Sequence, residues 1–208
     1  MDDFIETVFY SLRNNMANEA LVNQLRLYFQ GGGNSNARMA NGDSILHLAS
    51  GKGDVEIVKL LIEYGADLDY IDMDGWAPIH YAAFDKRVEV TRLLLEAGAD
   101  PNIKTPNGCT PLHLLSYPYR MLLGAHLVAK ILIDNGANIN ALDCNGSTPL
   151  HNAASFKKSK VLTVLLDAGC DTEIVNDVGL KAVTLCGDKI CRELLEGGGV
   201  ATKSAKKE

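Results

Sequence analysis

Asn107-Gly108-Cys109-Thr110-Pro111-Leu112-His113 is the stretch that decides the fold. Asn-Gly is a turn dipeptide that tolerates positive φ. Thr followed by Pro is a helix start, because the hydroxyl can cap free backbone amides and proline suits the first helical position. The segment has siblings. Asn41-Gly42 precedes Ser44-Ile45-Leu46-His47, Asp74-Gly75 precedes Ala77-Pro78-Ile79-His80, and Asn145-Gly146 precedes Thr148-Pro149-Leu150-His151. The four histidines are 33, 33 and 38 residues apart. Gly42, Gly75, Gly108, Gly146 and Gly179 keep that step, with a further 33 at the end. Gly65, Gly98, Gly136 and Gly169 keep it too. Three markers in one register mean stacked units, none of which can bury its apolar face alone.

Each unit reads as turn, helix, helix. After the histidine come small residues, such as Ala82-Ala83 and Ala153-Ala154, which let a short first helix pack closely. The second helix carries one apolar stripe, for example Val55, Val58, Leu61 and Ile62, or Val90, Leu93, Leu94 and Leu95. It stops at the second glycine series, where glycine supplies a left-handed cap. Ala77 stands where the siblings have Ser or Thr, so the second unit should lack a cap worth about 1 kcal/mol.

The pattern Gly-x-Thr-Pro-Leu-His, then Ala-Ala, then Leu-Leu-x-x-Gly-Ala-Asp/Asn-x-Asn resembles the ankyrin repeat. Gly108 to His113 and Leu132 to Asn140 carry it in this chain. The resemblance covers residues 32–185, as four full copies and part of a fifth. It implies an all-α ankyrin-repeat solenoid of helix–turn–helix units joined by β-hairpin-like loops. One domain is expected over residues 1–199: an irregular helical cap at 1–33, four repeats at 34–176 and a shortened cap at 177–199. A loose Gly197-Gly198-Gly199 stretch and a flexible basic tail, 200–208, should follow. The N-terminal segment has two helical stripes, Phe4, Ile5, Val8, Phe9 and Leu12, then Leu21, Val22, Leu25 and Phe29. A capping helix pair is the preferred reading there; a partner-binding amphipathic helix is the alternative.

Composition narrows the function. The chain has 208 residues, 47% hydrophobic and 22% charged, with net charge −6. That balance argues against direct nucleic-acid binding, which rests on clustered Lys and Arg. No apolar run reaches membrane-spanning length, and the first residues are acidic where a secretory signal is basic. A cytosolic protein is expected, with nuclear entry left open. Five cysteines without a Cys-x-x-Cys pair read as reduced, mostly packed thiols. Histidines one unit apart stand about 10 Å from each other, too far to share zinc. The resemblance implies instead that each ties adjacent turns together. His126, outside the series, reads as surface or packing. Gly31-Gly32-Gly33 lacks the Lys-Ser/Thr of a phosphate loop and ends a helix instead of starting one. Asp67, Asp100 and Asp171 share one turn position. No catalytic residue, metal site or cofactor is assigned, and an enzyme is only a remote alternative.

The resemblance implies protein binding, with specificity on the concave side at non-consensus positions. Those positions give Met73, Asp74, Trp76, Phe84 and Asp85 in the second unit. In the third they give Pro106, Asn107, Cys109, Tyr117 and Pro118, and in the fourth Cys144, Asn145, Ser147, Ser155 and Phe156. Aromatic residues and Met at such places are what interface cores use. Packing of some rings on neighbouring units is the competing reading. The third unit also holds five extra residues, assigned to Tyr117–Ala129 with Tyr119 and Arg120 among them. Met121-Leu122-Leu123 is apolar for an idle loop, so a projecting finger or an extended helix is expected beside Phe84 and Phe156, with neutral drift as the alternative. Asn102 and Asn140 resemble the family's β-hydroxylation sites; plain loop asparagines are the favoured reading. The expected role is adaptor, scaffold or inhibitory subunit for another protein, by a chain monomeric on its own. Regulation of a nuclear or transcription factor is the alternative.

Overall fold

The computed structural model describes residues 3–14, 16–117 and 123–201. Eleven α-helices are present among them. They are α1 (Asp3–Arg13), α2 (Glu19–Gln30), α3 (Ile45–Lys52), α4 (Val55–Glu63), α5 (Pro78–Phe84) and α6 (Val88–Glu96). Then come α7 (Pro111–Leu114), α8 (Ala125–Asp134), α9 (Pro149–Ser155), α10 (Ser159–Asp167) and, after a 3-10 turn at Ala182–Leu185, α11 (Lys189–Ala201). First helices stack in one layer, α1 on α3, α5, α7, α9 and the 3-10 turn in order. Second helices stack in another, from α2 through α4, α6, α8 and α10 to α11. One continuous core lies between the layers, built from residues such as Leu12, Leu46, Leu61, Ile79, Leu94 and Leu162.

The N-terminal pair joins both layers. Ile5, Val8, Phe9 and Leu12 bury one face of α1; Leu21, Leu25 and Phe29 bury one face of α2. Asn18 caps α2 by accepting the Leu21 N–H at 2.9 Å. Phe29 also meets Tyr64 of the next unit, with ring centroids 5.2 Å apart.

The histidines close each helix start and bridge to the next unit. Nδ1 of His47, His80, His113 and His151 accepts the backbone N–H of Ser44, Ala77, Thr110 and Thr148 at 3.0–3.2 Å. A backbone N–H can only donate, so the imidazole proton sits on Nε2. Nε2 then donates to Trp76 O, Ile103 O, Ser147 O and Leu180 O in the following unit, at 3.0–3.1 Å. Ser44 and Thr148 also accept the N–H of their histidines. Thr110 pairs its hydroxyl only with His113 Nδ1, at 2.8 Å. Ala77 makes no side-chain cap, as its lack of a hydroxyl requires.

Hairpin loops stack through a backbone rung: Met73 N to Asn41 O, Cys144 N to Asn107 O and Asp177 N to Asn145 O, at 3.0–3.3 Å. The rung between the second and third units has no counterpart, because Pro106 occupies the donor position and has no N–H.

Two expectations change. The window for the five extra residues, Tyr117–Ala129, narrows. Each interhelix loop passes through one left-handed residue, Gly53, Lys86, Gly124 or Lys157. His47, His80 and His151 reach theirs in 6 residues and His113 in 11, so the excess lies before Gly124 and α8 is regular from Ala125. Second, Gly197–Gly199 continue α11 to Ala201 rather than ending the fold as a loose stretch. Glycine costs a helix about 1 kcal/mol per residue relative to alanine but does not forbid it.

Candidate functional site

The hairpin tips and the ends of the first helices bring together part of the expected surface. In the second unit Trp76 packs on Tyr81 and edge-on against Phe84, with centroids 5.3 and 5.4 Å away. Trp76 and Phe84 are half-buried, so each keeps ring surface toward solvent. Asp72 organises this group. Its Oδ1 accepts the N–H of Asp74 and of Trp76 at 2.9 Å, and its Oδ2 accepts the Tyr81 hydroxyl at 2.5 Å. Burial and then the Asp72 carboxylate push the Tyr81 phenol far above its ordinary value. Met73, at the hairpin tip, is 77% exposed, and Asp74 beside it is exposed. Asp85 is half-buried at the end of α5.

A second group joins the third and fourth units. Tyr117 lies 5.2 Å from Phe156, ring to ring, and both are half-buried. Burial and the neighbouring Cys109 thiol push the Tyr117 phenol up to about 12, so it stays a neutral donor at physiological pH. Asn107 is exposed at its hairpin tip. Tyr119 and Arg120, with Pro118, Met121 and Leu122, lie outside the described residues.

Sequence reading missed Tyr81 and Asp72. A signal existed: Tyr81 follows His80 where the sibling positions hold Leu48, Leu114 and Asn152. Arg38 over Tyr70, with its guanidinium 3.4 Å from the ring centroid, was missed as well.

Asn102 and Asn140 belong to a ladder along the loops that precede the hairpins. Asn36, Asp69, Asn102 and Asn140 each accept, through Oδ1, a backbone N–H of the next unit at 2.7–3.0 Å. Asn102 also donates from Nδ2 to Gly136 O at 3.0 Å. All five cysteines are free thiols; Cys109, Cys186 and Cys191 are buried. Burial pushes Cys170 and Cys191 up to about 11, which keeps them protonated at neutral pH. Among the described residues no group of three or more His, Cys, Asp or Glu could hold a metal ion. No described helix is long and apolar enough to cross a membrane.

Residues 9–105 and 98–176 match the sequence profile of ankyrin repeats (three copies). The chain belongs to the ankyrin-repeat family. The match begins inside α1, so it takes in most of the N-terminal helix pair, and it ends before the closing unit. Among curated proteins, the chain is similar to Protein phosphatase 1 regulatory subunit 12A of Mus musculus and Rattus norvegicus, 39% identical over 59 residues. That is 28% of this chain and 6% of theirs. It is also similar to Potassium channel AKT1 of Oryza sativa subsp. indica, 43% identical over 47 residues, or 23% of this chain and 5% of the channel. The likeness thus spans about a twentieth of these relatives. Ankyrin repeats mark a protein–protein interaction module, and protein partners follow from that.

Proposed function

We propose that this chain is a non-enzymatic adaptor or regulatory subunit that holds a protein partner against its hairpin tips and first helices. One observation carries the reading. The side chains of Met73, Trp76, Phe84, Tyr117 and Phe156 occupy positions whose identity the repeat stack does not dictate. The histidine bridge at Trp76, for instance, uses only its backbone carbonyl. Yet these positions hold large apolar groups, with Met73 mostly exposed and the four rings half-buried. Rings of this kind bury much area at little entropy cost, which makes them the usual centres of interfaces. Asp74 and Asn107 would form the polar rim. Similarity to a phosphatase regulatory subunit supports a regulatory role, though only through its repeat segment.

The test is affinity capture from cells with two baits, the intact chain and a Trp76→Ala/Tyr117→Ala variant whose helicity matches it. A partner lost from the variant alone supports the reading. A partner retained equally by both overturns the assignment of the surface.

A further inference from the structure

A second surface lies where each chain turn leaves its first helix and enters its second helix. The left-handed position of that turn is glycine in the first and third units. It is lysine in the second and fourth, Lys86 at φ 53° and Lys157 at φ 56°. These lysines flank the entry to α8. Together with the first turns of α6, α8 and α10 they line an open groove of about 680 Å³. Its floor is aliphatic, formed by Val88, Leu115, Leu127 and Val161. Leu123, at its edge, is 92% exposed.

The rim is cationic. Lys157, Lys158 and Lys160 line it with His126, and no carboxylate does so among the described residues; Lys86 also lines the groove, but as a buried side chain. None of Lys157, Lys158 and Lys160 forms an ion pair among those residues. The Asp85 carboxylate acts on Lys86, and Lys157 acts on the Asp188 carboxylate. Lys86 is almost fully buried and donates to the Phe84 carbonyl. Burial is the largest cause working against its ammonium form; the Asp85 carboxylate opposes that, and the charge of Lys158 adds to it more weakly. So Lys157, Lys158 and Lys160 line an apolar groove without an ion-paired carboxylate among the described residues, in a chain whose net charge is −6. Clustered surface charge of one sign attracts an incoming anion. A floor of leucine and valine offers nothing to a phosphodiester backbone, but it suits a hydrophobic side chain.

We propose that this groove docks an acidic amphipathic segment of a partner protein, with aliphatic or aromatic side chains on the floor and Asp or Glu against the lysine rim. It shares no residue with the aromatic surface but borders it, since Lys86 donates to the Phe84 carbonyl and Lys157 follows Phe156, so one partner could engage both.

The probe is a labelled peptide with a Leu/Phe stripe and flanking glutamates, titrated into the full chain by fluorescence anisotropy. Two controls accompany it: the same peptide with Lys for Glu, and a Glu-rich peptide without apolar residues. Lys158→Glu/Lys160→Glu should weaken binding by about tenfold or more, as should Leu127→Asp, and added salt should weaken it in the wild type. Both glutamates would sit at the start of α10, where negative charge favours the helix, so the variant should fold. Amide shifts should move at Gly124–Leu127 and Lys158–Val161 and not at the Trp76 indole. No binding by the acidic peptide, equal binding by the basic peptide, or unchanged affinity in the variants would overturn the proposal. So would displacement by a short RNA, or a dimer of the chain that Lys158→Glu/Lys160→Glu dissociates. Shifts confined to Trp76 would overturn it while leaving the first surface standing.

Discussion

Replacing His80 with glutamine should flatten the acid side of the stability profile. His80 is fully buried. Its Nδ1 accepts the Ala77 N–H and its Nε2 donates to Ile103 O, each at 3.0 Å. A proton added at Nδ1 would face another donor inside the core. Burial, the largest cause, pushes the pKa down from 6.5 to about 4. The unfolded chain protonates near the ordinary value, so between the two pH values it binds more protons than the folded chain. Stability is therefore full above the ordinary value and drains away as pH falls toward the folded one. At about 1.4 kcal/mol per pKa unit the complete loss is about 3 kcal/mol, of which roughly 2 kcal/mol has gone by about pH 5. His47 and His113 are lowered by burial in the same sense and should add to the slope. Urea unfolding at about pH 7.5 and about pH 5 measures it. The wild type should lose about 2 kcal/mol more than His80→Gln across that interval. At about pH 7.5 the variant should be weaker by one to two hydrogen bonds, about 1–2 kcal/mol. Equal losses in both proteins, or an His80 ring signal that titrates at the ordinary value, would refute the reasoning.

Other substitutions test the local arguments. Ala77→Ser should restore the missing cap beside His80 and add about 1 kcal/mol in urea unfolding; a loss would show that the second unit has no room for the hydroxyl. Among the described residues the buried hydroxyls of Ser50 and Ser116 have no hydrogen-bond partner, and the equivalent positions in the other two units are Ala83 and Ala154. Ser50→Ala and Ser116→Ala should therefore be neutral or stabilising by up to about 1 kcal/mol, read from the thermal midpoint. Gly108 and Gly65 both have positive φ, 73° and 69°, but only Gly108 also lacks space: a Cβ there would stand 2.9 Å from Cys144 N. Gly108→Ala should destabilise by more than Gly65→Ala, for which about 1 kcal/mol of backbone strain is expected; a reversed order in paired melts would contradict this.

Much of the fold was legible because its markers have one permitted chemistry. A histidine that must accept from its own cap and donate to the next unit leaves little choice of residue, so its spacing in sequence is the spacing in space. The interhelix turn was less legible for the opposite reason. Its left-handed position accepts Gly53 and Gly124 but also Lys86 and Lys157, so no single residue type flags it. Without that marker the five extra residues could be confined only to the window Tyr117–Ala129, which runs on into α8. The Asp72–Tyr81 bond was hidden too, since two residues 9 apart in sequence meet only once the hairpin folds onto its helix. The lysine-rimmed groove escaped notice because its parts come from three units, and each lysine alone looks like a solvated charge. The candidate surface was read as positions; which rings stack, Trp76 with Phe84 and Tyr117 with Phe156, required coordinates.

The central claim is that the hairpin tips and first helices face the partner. Hydrogen exchange of the chain, alone and with the captured partner, measures that face directly. The account predicts added protection over residues 72–85, 106–117 and 152–156, with exchange along the outer second helices α4 and α6 unchanged. Protection confined to α4 and α6, or to α1 and α2, would contradict it.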